Sequence, residues 1–187
     1  MPSQSSLFNS SVVPFRLVFL MWGVFYIEVM MGINLSAYGI VPRTFWGLIG
    51  IFTAPLLHGS LLHLISNTIP LLFLGSVVFF FYSRIGGQVF FRAYFWTNIL
   101  VWLFARPANH IGASGLVYAL AFFLIFFGFF RRDFISIFIS AIVILLYGGV
   151  FYGVLPNDPR VSWESHFAGA LVGIASAMTF GNKKNVD

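Results

Sequence analysis

A serine flanked by small residues is the first feature of this sequence that could carry out chemistry. Ser114 lies between Gly112 and Gly115, where a polar loop meets a long apolar run. We expect it in the first turn of a helix, where backbone N–H groups lack partners within the helix and favour negative charge. A nucleophile there would have an oxyanion hole beside it. Taken alone, however, Gly-x-Ser-Gly is also typical of close packing between membrane helices.

A histidine in the last apolar run is the best candidate for the base that such a serine needs. Serine is a weak nucleophile at its own pKa and is activated by an adjacent general base. His166 lies at the start of this run, and Gly169 and Gly173 follow on the same helix face. Glycines four residues apart bring two membrane helices into close contact. Glu164 would point to a different face, so we expect a Ser-His dyad without a carboxylate.

Two further polar side chains, those of His63 and Asn67, share a helix face because they are four residues apart. Both can donate hydrogen bonds, so with the backbone N–H of Ser114 they could bind a developing oxyanion. The alternative is that they join neighbouring helices by hydrogen bonds. A metal site is disfavoured because asparagine is a poor ligand for transition metals; we expect no metal and no cofactor. His58 lies off this face and is predicted to shape the loop before it.

The composition indicates that these residues belong to a membrane protein. Of the 187 residues, 59% are hydrophobic and 8% are charged, whereas soluble domains carry about a quarter charged residues. The net charge of +5 comes from cations scattered singly or in pairs between apolar runs. This distribution is typical of topology signals and not of nucleic-acid binding. The chain contains no cysteine, which excludes disulfides and cysteine-ligated metals.

Six apolar runs are long enough to cross a bilayer, which takes about 17 residues or more. They cover residues 15–33, 61–82, 88–105, 114–130, 134–153 and 164–180. The third run is aromatic and predicted only to pack, and the connection from 153 to 162 reads as an ordinary turn region. An even number of spans places both termini on one side, where most lysines and arginines also fall, so we expect cytoplasmic termini. The polar ends of the second, fourth and sixth runs would then meet on the outer side.

We expect an all-α membrane protein with one domain over residues 15–181. A polar N-terminal segment over 1–14 would precede it, and a short cytoplasmic tail over 182–187 would follow. The longest connection, residues 34–60, is too apolar for a solvated loop. We interpret it as a structured element in the outer interface, with Trp46 as an anchor at headgroup level. A re-entrant hairpin is the alternative.

Together, three motifs resemble the rhomboid family of intramembrane serine proteases, in its minimal six-helix bacterial form. The motifs occur in the order His63-x-x-x-Asn67, Gly112-Ala113-Ser114-Gly115 and His166-Phe-Ala-Gly169-x-x-x-Gly173. The resemblance covers the whole predicted six-helix bundle. It also implies that Gly112 occupies a strained turn before the serine.

The resemblance further implies a role for each candidate side chain. Ser114 would be the nucleophile and His166 the general base. His63 and Asn67 would donate to the oxyanion together with the backbone of Ser114, and Tyr118 would stack on His166. Gly115 and Gly169 would support this arrangement.

The resemblance also implies how a substrate would reach the site. Residues 34–60 would be the membrane-embedded first loop, although the Trp-Arg pair common in this loop is replaced by the separated Arg43 and Trp46. The fifth run would be a lateral gate that admits a single-span membrane protein from the lipid of the bacterial inner membrane. The expected partners are therefore membrane lipids and a transmembrane substrate, without nucleic acid. A catalytically inactive rhomboid-like binder or chaperone is the alternative, but inactive relatives typically lack the serine or the histidine.

Overall fold

The protein is described here from a computed structural model, which covers residues 7–156, 158 and 161–182. Within these residues the structure contains helices and turns but no strand, and one isolated β-bridge pairs Ile40 with His110. The helices are α1 (Leu7–Met31), α2 (Gly47–Thr53), α3 (Leu61–Phe81), α4 (Ser83–Phe104), α5 (Ser114–Arg131), α6 (Phe134–Tyr147), α7 (Val150–Gly153) and α8 (Trp163–Gly181). The predicted all-α class is confirmed.

Five of the six predicted runs each correspond to one helix, and the fifth corresponds to α6 and α7. The helices differ in whether their length and composition suit a membrane crossing. Among the described residues, three segments are long and apolar enough by length and composition: Asn9–Met31, Leu61–Phe81 and Ser114–Arg131. The helices α4 and α8 are long enough but contain more polar and small residues, and α6 is apolar with 14 residues. These helices indicate an integral membrane protein, whereas six crossings remain a prediction.

Several helix boundaries differ from the predicted runs. The first helix begins at Leu7 and not at residue 15, so the predicted N-terminal segment is partly helical. The fourth helix begins at Ser83, before the predicted 88. The predicted fifth run breaks at Gly148 and Gly149 into α6 and α7, because consecutive glycines weaken a helix. Residues 1–6 and 183–187 lie outside the described residues, so the predicted domain limits stay predictions.

The helix α5 is the centre of the bundle. Two thirds of its spanning window (67%) is buried inside the protein, compared with 17% for α1. Helices α3, α4, α6 and α8 all pack against it, and Phe123 and Phe127 of α5 are fully buried. Because α5 starts at Ser114, the most enclosed helix carries the candidate nucleophile.

The connection over residues 34–60 is structured, as predicted, and contains α2 between two short 3-10 turns. Three side chains of α4 donate hydrogen bonds to its backbone oxygens: Tyr94 to Phe52 (2.6 Å), Asn98 to Ile51 (3.0 Å) and Trp102 to Thr44 (2.9 Å). The expectation that this run only packs was therefore wrong, because its polar atoms satisfy the backbone of the loop. Trp46 is 74% exposed, and its role as an anchor remains a prediction.

Candidate active site

The two predicted members of the dyad meet in the structure. Ser114 is the first residue of α5, and His166 lies in the first turns of α8. The Nε2 atom of His166 is 2.9 Å from the Oγ atom of Ser114, which is a hydrogen-bonding distance. Only 8% of His166 is exposed. The serine hydroxyl therefore has an imidazole nitrogen as its nearest acceptor.

A backbone carbonyl determines which nitrogen of His166 carries the proton. The Nδ1 atom is 2.9 Å from the carbonyl oxygen of Gly153, and a carbonyl oxygen can only accept. In the neutral ring Nδ1–H therefore donates to Gly153, and the Nε2 lone pair faces Ser114. This tautomer is the one that a general base requires. Gly153 was predicted to lie in an ordinary turn region, and its backbone role left no signature in the side-chain pattern.

The ring of Tyr118 fixes the plane of the imidazole. The two rings stack with centroids 3.9 Å apart and an interplanar angle of 5°, as the resemblance implied. A Cβ atom built at Gly153 would overlap the Tyr118 hydroxyl. The absence of a side chain at Gly153 thus lets its carbonyl and the Tyr118 ring contact His166 together.

Close backbone contact between α5 and α8 sets the separation of the dyad. A Cβ atom at Gly169 would overlap the carbonyl oxygen of Gly115, and one at Gly173 would overlap that of Ala119. Gly115 is also enclosed, because a Cβ atom there would lie 2.9 Å from the Thr97 Cγ2 atom. The glycines four residues apart thus allow the helix contact that their spacing predicted.

The turn before Ser114 brings His63 and Asn67 to the site. Gly112 has a φ of 105°, which side-chain-bearing residues rarely adopt, and a Cβ atom there would lie 2.6 Å from the His63 ring. Asn67 is 3% exposed, and its Nδ2 atom has no hydrogen-bond partner among the residues that the structure describes. Leaving a buried donor unsatisfied costs about 1–3 kcal/mol. The Asn67 amide, kept buried despite this free-energy cost, is therefore a candidate donor to an oxyanion that forms during a reaction.

His58 braces the ring of His63 from the loop before α3. The two imidazoles are in edge contact, with centroids 4.9 Å apart. His58 is 3% exposed, and its Nδ1 atom lies 3.4 Å from the carbonyl oxygen of Leu56. Burial and the neighbouring His63 lower the pKa of His58 to about 4, so the ring is neutral near pH 7.

One cavity of about 680 Å³ connects these groups. The candidate side chains that line it are Ser114, His166, His63, Asn67 and Tyr118. Tyr147 at the end of α6 and Val150 at the start of α7 also line it. The structure thus brings together the residues predicted from three separate helices. Within the part of the chain described, no cluster of three or more His, Cys, Asp or Glu side chains could hold a metal ion.

A polar network links the loop before Ser114 to the start of α8, and the motifs did not predict it. His110 Nε2 lies 3.1 Å from the carbonyl oxygen of Arg106, so it donates there, and Nδ1 accepts from the Ser162 hydroxyl at 2.6 Å. Ser162 and Ser165 are also hydrogen-bonded at 2.6 Å. Burial lowers the pKa of His110, which favours the neutral ring in this network.

An ion pair joins the same two elements. The Nε atom of Arg106 lies 3.3 Å from a carboxylate oxygen of Glu164, and an Arg106 terminal nitrogen donates to the carbonyl oxygen of Val161 at 2.9 Å. Glu164 is thus paired with Arg106, whereas the Nδ1 atom of His166 contacts the carbonyl oxygen of Gly153. Together with the His110 network, this pair fixes the serine-bearing loop against the helix that carries His166.

The fold and the site define a helical membrane protein with a serine and a histidine in hydrogen-bonding contact between two closely packed helices. A sequence model of the Rhomboid domain matches residues 42–183, which is most of the chain. The chain belongs to the rhomboid family, and the resemblance stated from the motifs is confirmed.

Mycobacterial proteins are similar to this chain over most of its length. An uncharacterized protein of Mycobacterium tuberculosis is 34% identical over 177 aligned residues, which cover 86% of this chain and 70% of that protein. An uncharacterized protein of Mycobacterium bovis matches equally well. A third, from Mycobacterium leprae, is 37% identical over 145 residues, covering 68% of this chain and 54% of that protein.

Proposed function

We propose that the protein is an intramembrane serine endopeptidase that cleaves single-span membrane proteins near the outer membrane face. The observation that carries the proposal is the geometry of the dyad. His166 Nε2 lies 2.9 Å from Ser114 Oγ, while Nδ1 is held by Gly153. A helix-packing role for Ser114 would not require an imidazole in the base tautomer at that distance. Membership of the rhomboid family supports the same reaction class.

In the first step, the Ser114 oxygen attacks the carbonyl carbon of the scissile peptide bond. Its proton passes to His166 Nε2, and the former carbonyl oxygen becomes an oxyanion. The Asn67 amide, the His63 ring and the Ser114 backbone N–H are the candidate donors to that oxyanion. The carbonyl oxygen of Gly153 accepts the Nδ1–H hydrogen bond and so keeps the imidazolium oriented.

In the second step, the carbon–nitrogen bond breaks and His166 transfers its proton to the leaving amine. The product is an ester between Ser114 and the acyl part of the substrate. A water molecule, deprotonated by His166, then attacks the ester carbon, and the bond to Ser114 breaks as the serine regains its proton. No cofactor takes part in this scheme.

The substrate would enter from the lipid beside α6. The outward side chains of α6 are bulky, with Phe134 and Leu145 each 83% exposed, and the helix ends at the Gly148–Gly149 break beside the cavity. Since backbone inside a helix is protected, local unwinding of the substrate would be required, and helix-breaking residues would favour it. The proposal includes six crossings, cytoplasmic termini and a site that opens to the outer side of a bacterial inner membrane.

The decisive experiment does not depend on a known substrate. Purified protein in detergent would be treated with a fluorescent fluorophosphonate, which labels activated serines, and compared with Ser114→Ala and His166→Ala. We expect labelling of the wild type and its loss in both variants. Ser66→Ala is the matched control, since Ser66 lines the same cavity and donates to a backbone oxygen (2.8 Å); it should retain labelling.

Labelling that persists in Ser114→Ala would place the reactive group elsewhere and contradict the proposal. A wild type that stays unlabelled in detergent and also after reconstitution in bilayers would favour the non-catalytic binder. Labelling restored by bilayers alone would instead support the protease, with access to the site closed in detergent.

A further inference from the structure

An arginine lies within α4, which the proposed topology places in the membrane, on the face of the bundle away from the candidate active site. Arg92 is the tenth of the 22 residues of α4 and is half-buried. Its guanidinium carbon lies 4.8 Å from the ring centroid of Phe180, close to the end of α8. A cation–π contact of this kind contributes about 0.5–2 kcal/mol. That is small beside the cost of placing a cation in hydrocarbon.

The described protein supplies no anion for this guanidinium. The ion pairs between described residues join Arg106 to Glu164 and Arg131 to Asp133. Glu28 accepts a hydrogen bond from the backbone of Leu35 at 2.7 Å. With only five acidic residues in the chain, the sequence has few carboxylates left to pair with Arg92. An anion from the surroundings would satisfy the charge.

An apolar groove leads away from Arg92 between α4 and α8. A cavity of about 340 Å³ is lined by Arg92, Trp96 and Leu100 on one side and by Leu171 and Ala175 on the other. A second cavity of about 360 Å³ shares Leu100 and Leu171 with the first and continues to Trp163. We call these two cavities the α4–α8 groove. It offers one cationic end and a largely apolar body, with Glu164, the partner of Arg106, at the far end beside Trp163.

We propose that the α4–α8 groove binds an acidic phospholipid. The phosphate of its headgroup would pair with Arg92, and an acyl chain would lie along the groove towards Trp163. An acidic headgroup is favoured over a zwitterionic one because no carboxylate lines the Arg92 end to receive an ammonium group. The Arg131–Arg132 turn at the end of α5 lies at the same end of the bundle as the start of α4, and cations near a membrane surface attract acidic lipids.

The position of the groove indicates what the lipid would do. Leu171 and Ala175 lie on the side of α8 opposite to Gly169 and Gly173, which contact α5. A bound lipid would therefore support α8 from behind without entering the cavity at Ser114. The inference does not depend on the proposed proteolytic activity.

The proposal is tested by the thermal unfolding midpoint of purified protein in detergent micelles supplemented with phosphatidylglycerol or phosphatidylcholine. At ten times its dissociation constant, phosphatidylglycerol should raise the midpoint by roughly 3–5 °C more than phosphatidylcholine. Arg92→Gln should abolish this difference. Arg84→Gln is the matched control, because it removes an exposed cation from the first turn of the same helix, away from the groove lining, and should keep the difference.

Equal stabilisation by both lipids, or an undiminished preference in Arg92→Gln, would overturn the proposal. A second measurement uses the wild-type groove in case Arg92→Gln does not fold. Quenching of Trp96 fluorescence, taken as the difference between wild type and Trp96→Phe, should be stronger with brominated phosphatidylglycerol than with brominated phosphatidylcholine at equal mole fraction. Equal quenching by the two lipids would also overturn it.

Discussion

At the scale of single residues, the site is unusual in the group that orients its histidine. In the serine protease triad a carboxylate fills this position, whereas the carbonyl oxygen of Gly153 fills it here at 2.9 Å. A neutral acceptor fixes the tautomer without adding a negative charge to the site. In the proposed reaction, stabilisation of the oxyanion would depend on the donors around it, and the Nδ2 atom of Asn67 is a buried donor without a hydrogen-bond partner within the described structure.

Replacing Asn67 by alanine should reduce reactivity without reducing stability. Loss of one oxyanion donor costs roughly 10²–10³ in rate, so fluorophosphonate labelling should slow by about that factor. The unfolding midpoint should stay level or rise, because the variant removes a buried amide whose Nδ2 has no partner. If the midpoint fell and the labelling rate held, Asn67 would instead be a hydrogen-bonding residue between helices, the alternative that the sequence left open.

The stability of the protein should depend on pH through His58. The pKa of His58 is lowered from 6.5 to about 4, so between these values the unfolded chain binds more protons than the folded one. The stabilisation is full above about pH 6.5 and is lost as the pH falls towards 4, by up to about 3 kcal/mol. The unfolding midpoint of the wild type should therefore fall between pH 7 and pH 5 by more than that of His58→Gln. If the unfolding midpoints of the wild type and His58→Gln changed with pH by the same amount, His58 would not titrate in this range.

At the scale of elements, the contact between α5 and α8 determines whether the dyad exists. Ser114 and His166 are 52 residues apart in the chain, and they meet because Gly169 and Gly173 let two backbones touch. The network of His110, Ser162 and Ser165 links the loop before α5 to the start of α8, at the ends of the two helices that carry Ser114 and His166. A substitution at Gly169 or Gly173 should therefore change the distance between Ser114 and His166, although neither glycine contacts the two side chains through a side chain of its own.

Gly169→Ala should abolish labelling and lower the unfolding midpoint. Its Cβ atom would overlap the Gly115 carbonyl oxygen, so α8 must move away from Ser114. The matched control is Gly23→Ala on α1, where nothing lies within 4 Å of the added Cβ atom. There alanine should leave labelling intact and stabilise the helix by about 0.5–1 kcal/mol. Full labelling of Gly169→Ala would show that this contact does not set the dyad geometry.

At the scale of the whole molecule, burial decreases from the centre of the bundle to its edge. The helix α5 is enclosed, α1 and α6 present bulky apolar side chains outwards, and the α4–α8 groove opens on another side. This arrangement suits a protein surrounded by lipid, with the polar cavity confined to one end. The number of crossings and the side on which the cavity opens are properties of the molecule as a whole, and they can be measured directly.

The proposed topology predicts opposite labelling at two positions. Because the chain contains no cysteine, single cysteines can be introduced without a background. Asp158→Cys, in the connection before α8, should react with a membrane-impermeant maleimide in intact cells. Asp187→Cys, at the end of the chain, should react only after the membrane is permeabilised. The reverse pattern would invert the topology, and labelling of both in intact cells would contradict an even number of crossings.

Interactions made through the backbone could not be predicted from the sequence. His166 contacts the backbone carbonyl of Gly153. Because every residue has such a carbonyl, no side-chain pattern marks this one as the partner of His166. The hydrogen bonds from α4 to the first loop were missed for the same reason, since Tyr94, Asn98 and Trp102 donate to backbone oxygens. The break at Gly148 and Gly149 was missed because their apolar neighbours satisfied the criterion for a continuous span.

By itself the sequence determined the all-helical membrane class and the family. It also identified the candidate site residues, which are Ser114, His166, His63 and Asn67. Those inferences depend on local spacing, because polar groups within apolar runs are costly and a helix places every fourth residue on one face. Only the tertiary structure decided that His166 is held by Gly153, that Arg106 pairs with Glu164, and that Arg92 contacts the Phe180 ring at one end of the α4–α8 groove. Such pairings join residues far apart in the chain, and they become defined only when helix packing fixes which side chains and backbone groups meet.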